Sequence, residues 1–340
     1  MDIKIPYYED MTRISNSNIG WFMKYGPIYL HDKLTGKVNE STTQAMANGT
    51  MIHEFLLQPE EFDKDYIFTD FRKPSTSNQD KFCKELINTL EIEPDRALIN
   101  AYKAAYKVSY KDDNKILSKA KEMASMLNGY IDYEKSNDKR TPINKWEYER
   151  LCRIKDLTKE HKYAWDVLYP KTGEYHHEFH INWDYKYYNS DTKQDEIVKC
   201  KSLLDHVWFD FDNKACVIAD IKTTVNIHSF EDSVKHYDYT RQLYFYYLAT
   251  KWYLENERGI DESSLKNEWQ FKFFIIAIDT VQVSEVRLLK IKKSDIISDK
   301  NVFNVYDTLK RIHWHQVNDK WSHSVEYYTN FGIETLNLDE

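Results

Sequence analysis

Asp205, Asp220 and Lys222 are the residues whose types and spacing are best suited to chemistry. Both aspartates end short apolar runs that are typical of strands, and residues 211–214 between the runs are typical of a hairpin turn. If Asp212-Asn213 is the two-residue loop, cross-strand partners have numbers that sum to 425, as 205 and 220 do. The spacing therefore predicts that Asp205 faces Asp220 directly.

Lys222 lies two residues beyond Asp220 and shares its face of the strand, because side chains alternate with period two. Opposed Cβ atoms lie about 5 Å apart and diagonal ones about 7–8 Å apart, so the three charged groups would converge. Two opposed carboxylates are unfavourable unless a cation lies between them, and carboxylate oxygens suit Mg²⁺ or Mn²⁺ better than zinc. The alternative is a surface hairpin with solvated charges, against which the apolar runs indicate partial burial.

A long helical pattern follows the hairpin, from residue 230 to residue 257. Tyr239, Gln242 and Tyr246 stand at i, i+3 and i+7 and therefore share one face of this helix. A glutamine between tyrosines can bind phosphates or base edges while the rings stack on bases. The same spacing is also typical of ordinary helix surface and core.

Two upstream segments contain further candidates. Residues 41–57 predict a helix on which His53 follows Gly49 by one turn, so that a neighbouring element can approach closely at the glycine. His53 is either a core histidine or a metal ligand. Residues 175–185 alternate as a strand, and Glu178 on it is either a surface acid of an edge strand or a metal-side carboxylate.

Six motifs occur in the order Ile14-Ser15-Asn16-Ser17, Gly49-x-x-x-His53, Glu178, Asp205, Asp220-x-Lys222 and Tyr239-x-x-Gln242-x-x-x-Tyr246. This ordered set resembles the PD-(D/E)xK nuclease superfamily, in particular its RecE-like, RecB-like and lambda-exonuclease-like branch, over residues 7–321. The resemblance implies an α/β (α+β) fold, with a restriction-endonuclease-like core of a mixed central β-sheet flanked by helices and a helical N-terminal portion. We expect the helical portion to span residues 1–170 and the nuclease core residues 171–340, as one continuous structural unit.

The candidate site predicts a metal-dependent mechanism. His53, Asp205, Asp220 and the Ile221 carbonyl would hold one or two Mg²⁺ ions, with Mn²⁺ as an alternative, and Glu178 would support them. Lys222 would orient the attacking water or balance charge in the transition state. Alanine at Asp220 or Lys222 is expected to leave folding and DNA binding intact and to stop cleavage.

Residues for DNA binding are predicted at two places. The helix that carries Gln242, Tyr246 and Tyr239 provides the first. The second is implied by the resemblance, in which the region of Arg13 and Ser17 holds the 5′-phosphate of a DNA end at a helix N-terminus. The alternative role of Ser17 is that of an N-cap.

The resemblance further implies a Mg²⁺-dependent exodeoxyribonuclease that digests one strand of linear duplex DNA from the 5′ end. It implies a ring-shaped homo-oligomer, 3′ overhangs for a single-strand annealing protein, and a role in phage recombination in the cytoplasm of a bacterial host. One alternative is a structure-specific or single-strand endonuclease on the same core. Others are a catalytically silent DNA-binding or anti-defence protein, and an α/β scaffold with no role on nucleic acid.

Composition sets further limits. The chain has 340 residues, 41% of them hydrophobic and 15% aromatic, which is enough for a substantial core. The net charge of −8 argues against a generally basic nucleic-acid binder but is compatible with a nuclease whose metal ions cancel its site carboxylates, so net charge does not decide the function. Without a signal peptide or an apolar run of ~18–20 residues, the protein is expected to be soluble and intracellular, with no membrane partner.

The positions of the cysteines and the absence of a Gly-rich phosphate loop argue against two cofactors. The four cysteines, Cys83, Cys152, Cys200 and Cys216, are scattered and are expected to be reduced. Some relatives bind an iron–sulfur cluster through one upstream cysteine and three downstream of the core, and no cysteine follows Cys216. We therefore expect no cluster, and the absence of a Gly-rich phosphate loop predicts no use of ATP.

A lysine-rich stretch lies between residues 70 and 140. The lysines that recur there at helical spacing are Lys103, Lys107, Lys111, Lys115, Lys119 and Lys121. They form either a solvated helix face or a rim for the DNA backbone.

Overall fold

The structure is a computed structural model that describes residues 5–38, 43–89, 93–108 and 112–334. Backbone contacts group the chain into two compact units. Unit 1 comprises Met1–Leu57 and Ile154–Glu340, and unit 2 comprises Gln58–Arg153.

A five-stranded mixed sheet forms the frame of unit 1. Its strands are β3 (Glu174–Asn189), β4 (Gln194–Asp210), β5 (Ala215–Thr224), β6 (Gln270–Asp279) and β7 (Val286–Ile291), in the order β3-β4-β5-β6-β7. Neighbours are antiparallel except for β5 and β6, which are parallel and therefore need a crossover connection. Helices supply this connection, and the predicted fold class of a mixed sheet flanked by helices is confirmed.

The helices of unit 1 surround this sheet. They are α1 (Asn16–Leu34), α2 (Gln44–Leu57), α9 (Lys162–Leu168), α10 (Phe230–His236), α11 (Tyr239–Asn256), α12 (Glu262–Asn267), α13 (Lys293–Ile296), α14 (Asp299–Asn318) and α15 (Val325–Thr329), with a 3₁₀ turn at Ile227–Ser229. Trp183, Phe209, Phe245 and Phe273 are among the largest fully buried side chains and belong to one core. The apolar faces of β3, β4, β6 and α11 therefore pack together.

Unit 2 is mainly helical. It contains α3 (Pro59–Asp65), α4 (Ser77–Asn88), α5 (Pro94–Ala105), α6 (Asp113–Met126) and α7 (Asn128–Lys135), and α8 (Lys145–Glu160) spans the division between the units. Two short parallel strands, β1 (Tyr66–Phe68) and β2 (Thr141–Ile143), pair with each other. Its core is built around Phe82, Ile116 and Leu127, all fully buried.

The register of the β4–β5 hairpin is as predicted. Ladder pairs run from Asp210↔Ala215 to His206↔Ala219, and 206 and 219 again sum to 425. Asp205 and Asp220 therefore stand at the next position, directly after the last pair of this ladder.

Two predicted helix boundaries are wrong. The pattern of residues 230–257 is broken between α10 and α11, where Asp238 takes a left-handed φ of 54°. Conversely, the Gly26-Pro27 pair predicts that the first helix ends there, but α1 continues to Leu34 across a kink at Gly26, whose φ is 82°. A single left-handed residue is enough to redirect a helix, and such a residue need not be glycine.

The division into units falls at residues 57 and 153, whereas the sequence placed a boundary at residue 170. The N-terminal segment belongs with the sheet because Ile14 forms a parallel bridge to Cys200 on β4. Among the described residues, no helix combines the length and the apolar composition needed to span a membrane. The four cysteines are free thiols, and Cys83, Cys200 and Cys216 are buried.

Candidate active site

Asp205 lies within β4, at the point where its ladder with β5 ends. Its carboxylate Oδ2 accepts a hydrogen bond from the Ile221 backbone N–H at 2.7 Å. The Asp205 side chain thus binds a backbone N–H just beyond the last ladder pair, and the sheet fixes its position. The Asp205 side chain is 13% exposed, which leaves part of the carboxylate accessible.

His53 reaches this point from α2. Its Nε2 lies 3.1 Å from the Ile221 carbonyl oxygen, which can only accept, so Nε2 carries the proton that it donates. Its Nδ1 then faces two carboxylates, Asp205 at 3.6 Å and Glu178 at 3.8 Å. Burial lowers the pKa of His53, but the charges of Asp205 and Glu178 outweigh this and raise it.

Gly49 does not have the role predicted for it. A Cβ placed on Gly49 would lie 3.6 Å from the Thr223 Oγ1, which is an ordinary van der Waals distance. The approach of α2 to β5 therefore does not depend on glycine at this position.

Glu178 reaches the site through an unusual backbone conformation. It lies within β3 with a φ of 47°, in the left-handed region that strands and glutamate residues rarely adopt. The ladder pairs His177 with His206 and Phe179 with Leu204, and omits the pair between Glu178 and Asp205. The left-handed residue interrupts the ladder opposite Asp205, where the two carboxylates approach His53.

Asp220 and Lys222 form a buried ion pair on β5. The Lys222 Nζ lies 2.5 Å from the Asp220 Oδ2, and Asp220 is 1% exposed. The contact is an ion pair without hydrogen-bond geometry, so this oxygen accepts no hydrogen bond. Burial raises the pKa of Asp220 to about 6, although Lys222 opposes the shift. Burial by itself would lower the pKa of Lys222, but the negative charges of Asp220 and Asp205 have the larger effect, so this pKa is raised.

The residues of α11 support this pair. The Gln242 Nε2 donates to the Asp220 Oδ1 at 3.1 Å and to the Tyr246 hydroxyl at 2.9 Å. The Lys222 ammonium lies 5.0 Å from the centroid of the Tyr239 ring. The face predicted to contact DNA therefore points at the β5 side chains, and Tyr246 is only 8% exposed.

The region of Arg13 and Ser17, predicted to hold a DNA 5′-phosphate, has an arrangement different from the predicted one. Ser15, not Ser17, caps α1, and it forms a reciprocal capping box with Asn18. The Arg13 guanidinium lies 3.3 Å from the carbonyl oxygens of Trp183 and Cys200, and it also neighbours Asp10 and Asp184. Arg13 therefore ties the N-terminal segment to β3 and β4, and its donors are directed at carbonyls and carboxylates within the chain.

Two buried cations near the candidate site were not predicted from the sequence. Arg241 is 6% exposed and joins α11 to α1 by donating to the Asn16 Oδ1 at 2.6 Å and to Asp238 at 2.9 Å. Lys201 is also 6% exposed and binds the backbone carbonyls of Tyr7 and Asp10. A lysine inside an apolar strand was the available signal for Lys201, whereas no local pattern distinguishes Arg241.

A cluster of three residues is suited to a metal ion. The ligand atoms of His53, Glu178 and Asp205 all lie within 4.8 Å of one another. One imidazole and two carboxylates are a donor set for a hard or borderline divalent ion such as Mn²⁺ or Mg²⁺. Of the four predicted ligands, His53 and Asp205 belong to this cluster, Asp220 is held by Lys222 and Gln242, and the Ile221 carbonyl faces the His53 Nε2.

The fold is similar to that of a crystal structure from Eubacterium rectale, of a protein described as a putative exonuclease. The two chains are 11% identical, with a TM-score of 0.50, over 99% of this chain and 96% of that chain. No protein-family model and no curated protein matches the sequence. At this identity, the likeness shows a shared fold over nearly the full length of both chains.

Proposed function

We propose that this chain is a divalent-metal-dependent deoxyribonuclease, and that it acts as an exonuclease from the 5′ end of one strand of linear duplex DNA. The observation that carries the proposal is the cluster of His53, Glu178 and Asp205 beside the buried Asp220–Lys222 pair. A fold shared with a protein described as a putative exonuclease supports the exonuclease form of the activity. The ordered motifs of the sequence support the choice of DNA and of the 5′ end.

His53, Glu178 and Asp205 are the residues that would hold the metal ion, with Asp220 next to them. A bound Mg²⁺ or Mn²⁺ would polarise the scissile phosphate and lower the pKa of a water molecule. The Ile221 carbonyl fixes the His53 tautomer so that Nδ1 is directed at the carboxylates. The protein thus presents preorganised acceptors to a cation.

Lys222 and Gln242 act on the phosphate side of this arrangement. The Lys222 ammonium is available to balance the negative charge that develops on the phosphate in the transition state. Gln242 fixes one oxygen of Asp220, and Lys222 contacts the other, so Asp220 has a defined orientation. These contacts hold the charged groups in place before DNA arrives.

The test is time-resolved digestion of linear duplex DNA labelled at one end, with Mg²⁺ or Mn²⁺. We expect progressive shortening from the 5′ end, no cleavage of closed circular DNA, and DNA binding without cleavage when Ca²⁺ replaces Mg²⁺. Cutting of circular DNA would instead identify an endonuclease. No cleavage with either metal ion would overturn the proposal.

Variants of β4 connect the activity to the site. Asp205→Asn should slow cleavage by roughly a thousandfold or more, because loss of a metal-binding carboxylate raises the activation barrier by several kcal/mol. Asp195→Asn is the matched control, since Asp195 is exposed on the same strand. Cleavage by Asp205→Asn at the rate of the control would place the activity elsewhere in the chain.

A further inference from the structure

The N-terminal segment before α1 is anchored beside the candidate site. Lys201 donates to the Tyr7 carbonyl oxygen at 2.6 Å and also binds the Asp10 carbonyl, and its ammonium lies 4.7 Å from the centroid of the Tyr7 ring. The N–H groups of Glu9 and Asp10 both donate to the Pro6 carbonyl and close a turn around Tyr7 and Tyr8. The backbone that carries Tyr8 is therefore held at both ends.

Ring contacts lead from Tyr8 to the strand of Glu178. The Tyr8 ring packs edge-on against Tyr7 at 5.1 Å between centroids, and Tyr7 packs edge-on against His180 at 5.3 Å. His180 lies on β3 two residues after Glu178. Desolvation raises the pKa of the Tyr8 hydroxyl, and the negative charges of Glu178 and Asp205 raise it further.

Tyr8 nevertheless remains 77% exposed. An anchored, largely exposed aromatic ring, joined by ring contacts to the strand that carries Glu178, has the properties of a stacking platform for a nucleobase. Base stacking on an aromatic ring tolerates any sequence, because every base has a π face. Such a contact suits an enzyme that must process successive nucleotides.

We propose that Tyr8 stacks on the base of a nucleotide next to the scissile phosphate and thereby positions the strand in the site. The inference rests on the proposed nuclease function and names a substrate contact for it. Tyr8 touches the substrate but no reacting atom, so its effect should fall on binding of the strand more than on the chemical step.

The test uses linear duplex DNA with 2-aminopurine near its 5′ end, in Ca²⁺, and compares Tyr8→Ala and Tyr8→Trp with the unchanged protein. Tyr188→Ala is the matched control, because Tyr188 is 59% exposed and lies ten residues from Glu178 along β3, roughly 33 Å in an extended strand. Stacking quenches 2-aminopurine fluorescence, so this readout is independent of cleavage.

We expect Tyr8→Ala to lose the quenching and to bind DNA about 5- to 150-fold more weakly, the equivalent of about 1–3 kcal/mol per stacked base. In cleavage assays with Mg²⁺, the Tyr8→Ala substitution should raise KM with a smaller change in kcat. Tyr8→Trp and Tyr188→Ala should resemble the unchanged protein. If the unchanged protein cleaves DNA but Tyr8→Ala and Tyr188→Ala show equal quenching and affinity, the role of Tyr8 is overturned and the proposed nuclease function stands. An unchanged protein that neither binds nor cleaves DNA would overturn the proposed function and this inference with it.

Discussion

Glu178 has a backbone conformation that a strand would not adopt without compensation. Left-handed conformations of residues other than glycine are associated with about 1–3 kcal/mol of strain, and they occur often at functional sites. Here the conformation interrupts the β3–β4 ladder opposite Asp205, where it brings a second carboxylate to His53. The sheet thus tolerates both backbone strain and like-charge repulsion at one position.

Glu178→Gly should therefore make the protein more stable and less active. Glycine takes a φ of 47° without steric conflict, so the substitution removes the backbone strain. The resulting gain in stability is partly offset by the greater conformational freedom of glycine in the unfolded chain. We expect the free energy of unfolding, measured with urea, to rise by about 1 kcal/mol, while cleavage and Mn²⁺ affinity fall.

Lys193→Gly is the control for this prediction. Lys193 is exposed in the β3–β4 turn with a φ of 55°. It should gain similar stability and keep its activity. A loss of stability specific to Glu178→Gly would mean that the Glu178 carboxylate holds β3 and β4 together.

The buried pair changes what is expected of single substitutions at Asp220 and Lys222. The sequence predicted that alanine variants would fold normally, but removal of one partner leaves an uncompensated buried charge. Lys222→Met should lower the free energy of unfolding by about 3–5 kcal/mol at pH 8. The double variant Asp220→Asn/Lys222→Met should recover most of this loss, and the exposed Lys199→Met should change stability by less than about 0.5 kcal/mol.

The effect of Lys222→Met should also depend on pH. The pKa of Asp220 in the folded protein, about 6, lies above the unfolded value of about 3.9, so the folded state binds the proton more tightly. The stability from this proton is fully present below the unfolded pKa and is lost as the pH rises through about 6. The deficit of Lys222→Met should therefore be largest at pH 8 and shrink at pH 5, whereas a constant deficit would point to lost packing.

At the scale of elements, the turn between β6 and β7 depends on one aspartate. Asp279 accepts hydrogen bonds from the backbone N–H groups of Val281 and Gln282, at 3.0 and 3.3 Å, and from the hydroxyl of Ser284, at 3.0 Å. Burial raises the pKa of Asp279, but these hydrogen bonds outweigh it and lower the pKa. The carboxylate form therefore organises the turn.

Asp279→Asn should cost about 1–3 kcal/mol of stability at pH 7, because hydrogen bonds to a charged group are lost. Since the folded pKa is depressed, the stability is fully present above the unfolded pKa of about 3.9 and is lost as the pH falls through the folded value. The difference between the unchanged protein and Asp279→Asn should be constant from pH 7 to about pH 5 and shrink below about pH 4. Thermal unfolding over this pH range is the measurement, with Asp212→Asn in the exposed β4–β5 turn as control.

Local spacing predicted some elements correctly and others not. The β4–β5 register followed from a short turn and period-two alternation, which leave little freedom, and it placed Asp205 and Asp220 opposite each other just beyond the last ladder pair. The break at Asp238 and the continuation past Gly26 depend on tertiary packing, so helical periodicity alone missed both. The backbone conformation of Glu178 leaves no local signal. A lysine inside an apolar strand marks Lys201, but its partners in the N-terminal segment are distant along the chain, so local spacing does not identify them.

At the scale of the whole molecule, the residues of the candidate site all belong to unit 1, and the lysine-rich helices belong to unit 2. Within unit 2, the Lys103 ammonium lies 2.6 Å from Asp113 and the Lys121 ammonium 2.8 Å from Asp95. Lys111 lies outside the described residues. The ion pairs reduce the positive field of α5 and α6, which favours a solvated helix face over a rim for the DNA backbone.

The double variant Lys103→Gln/Lys121→Gln should therefore leave the salt dependence of DNA binding unchanged. Each phosphate contact contributes about 0.9 to the slope of log Kobs against log salt, so loss of two contacts would reduce the slope by about 1.8. The measurement is a salt titration of affinity for duplex DNA in Ca²⁺, and Lys290→Gln/Lys292→Gln, at exposed positions of unit 1, controls for the loss of two positive charges. If the slope falls by about 1.8 in the unit 2 variant and stays constant in the control, these helices contact the DNA backbone.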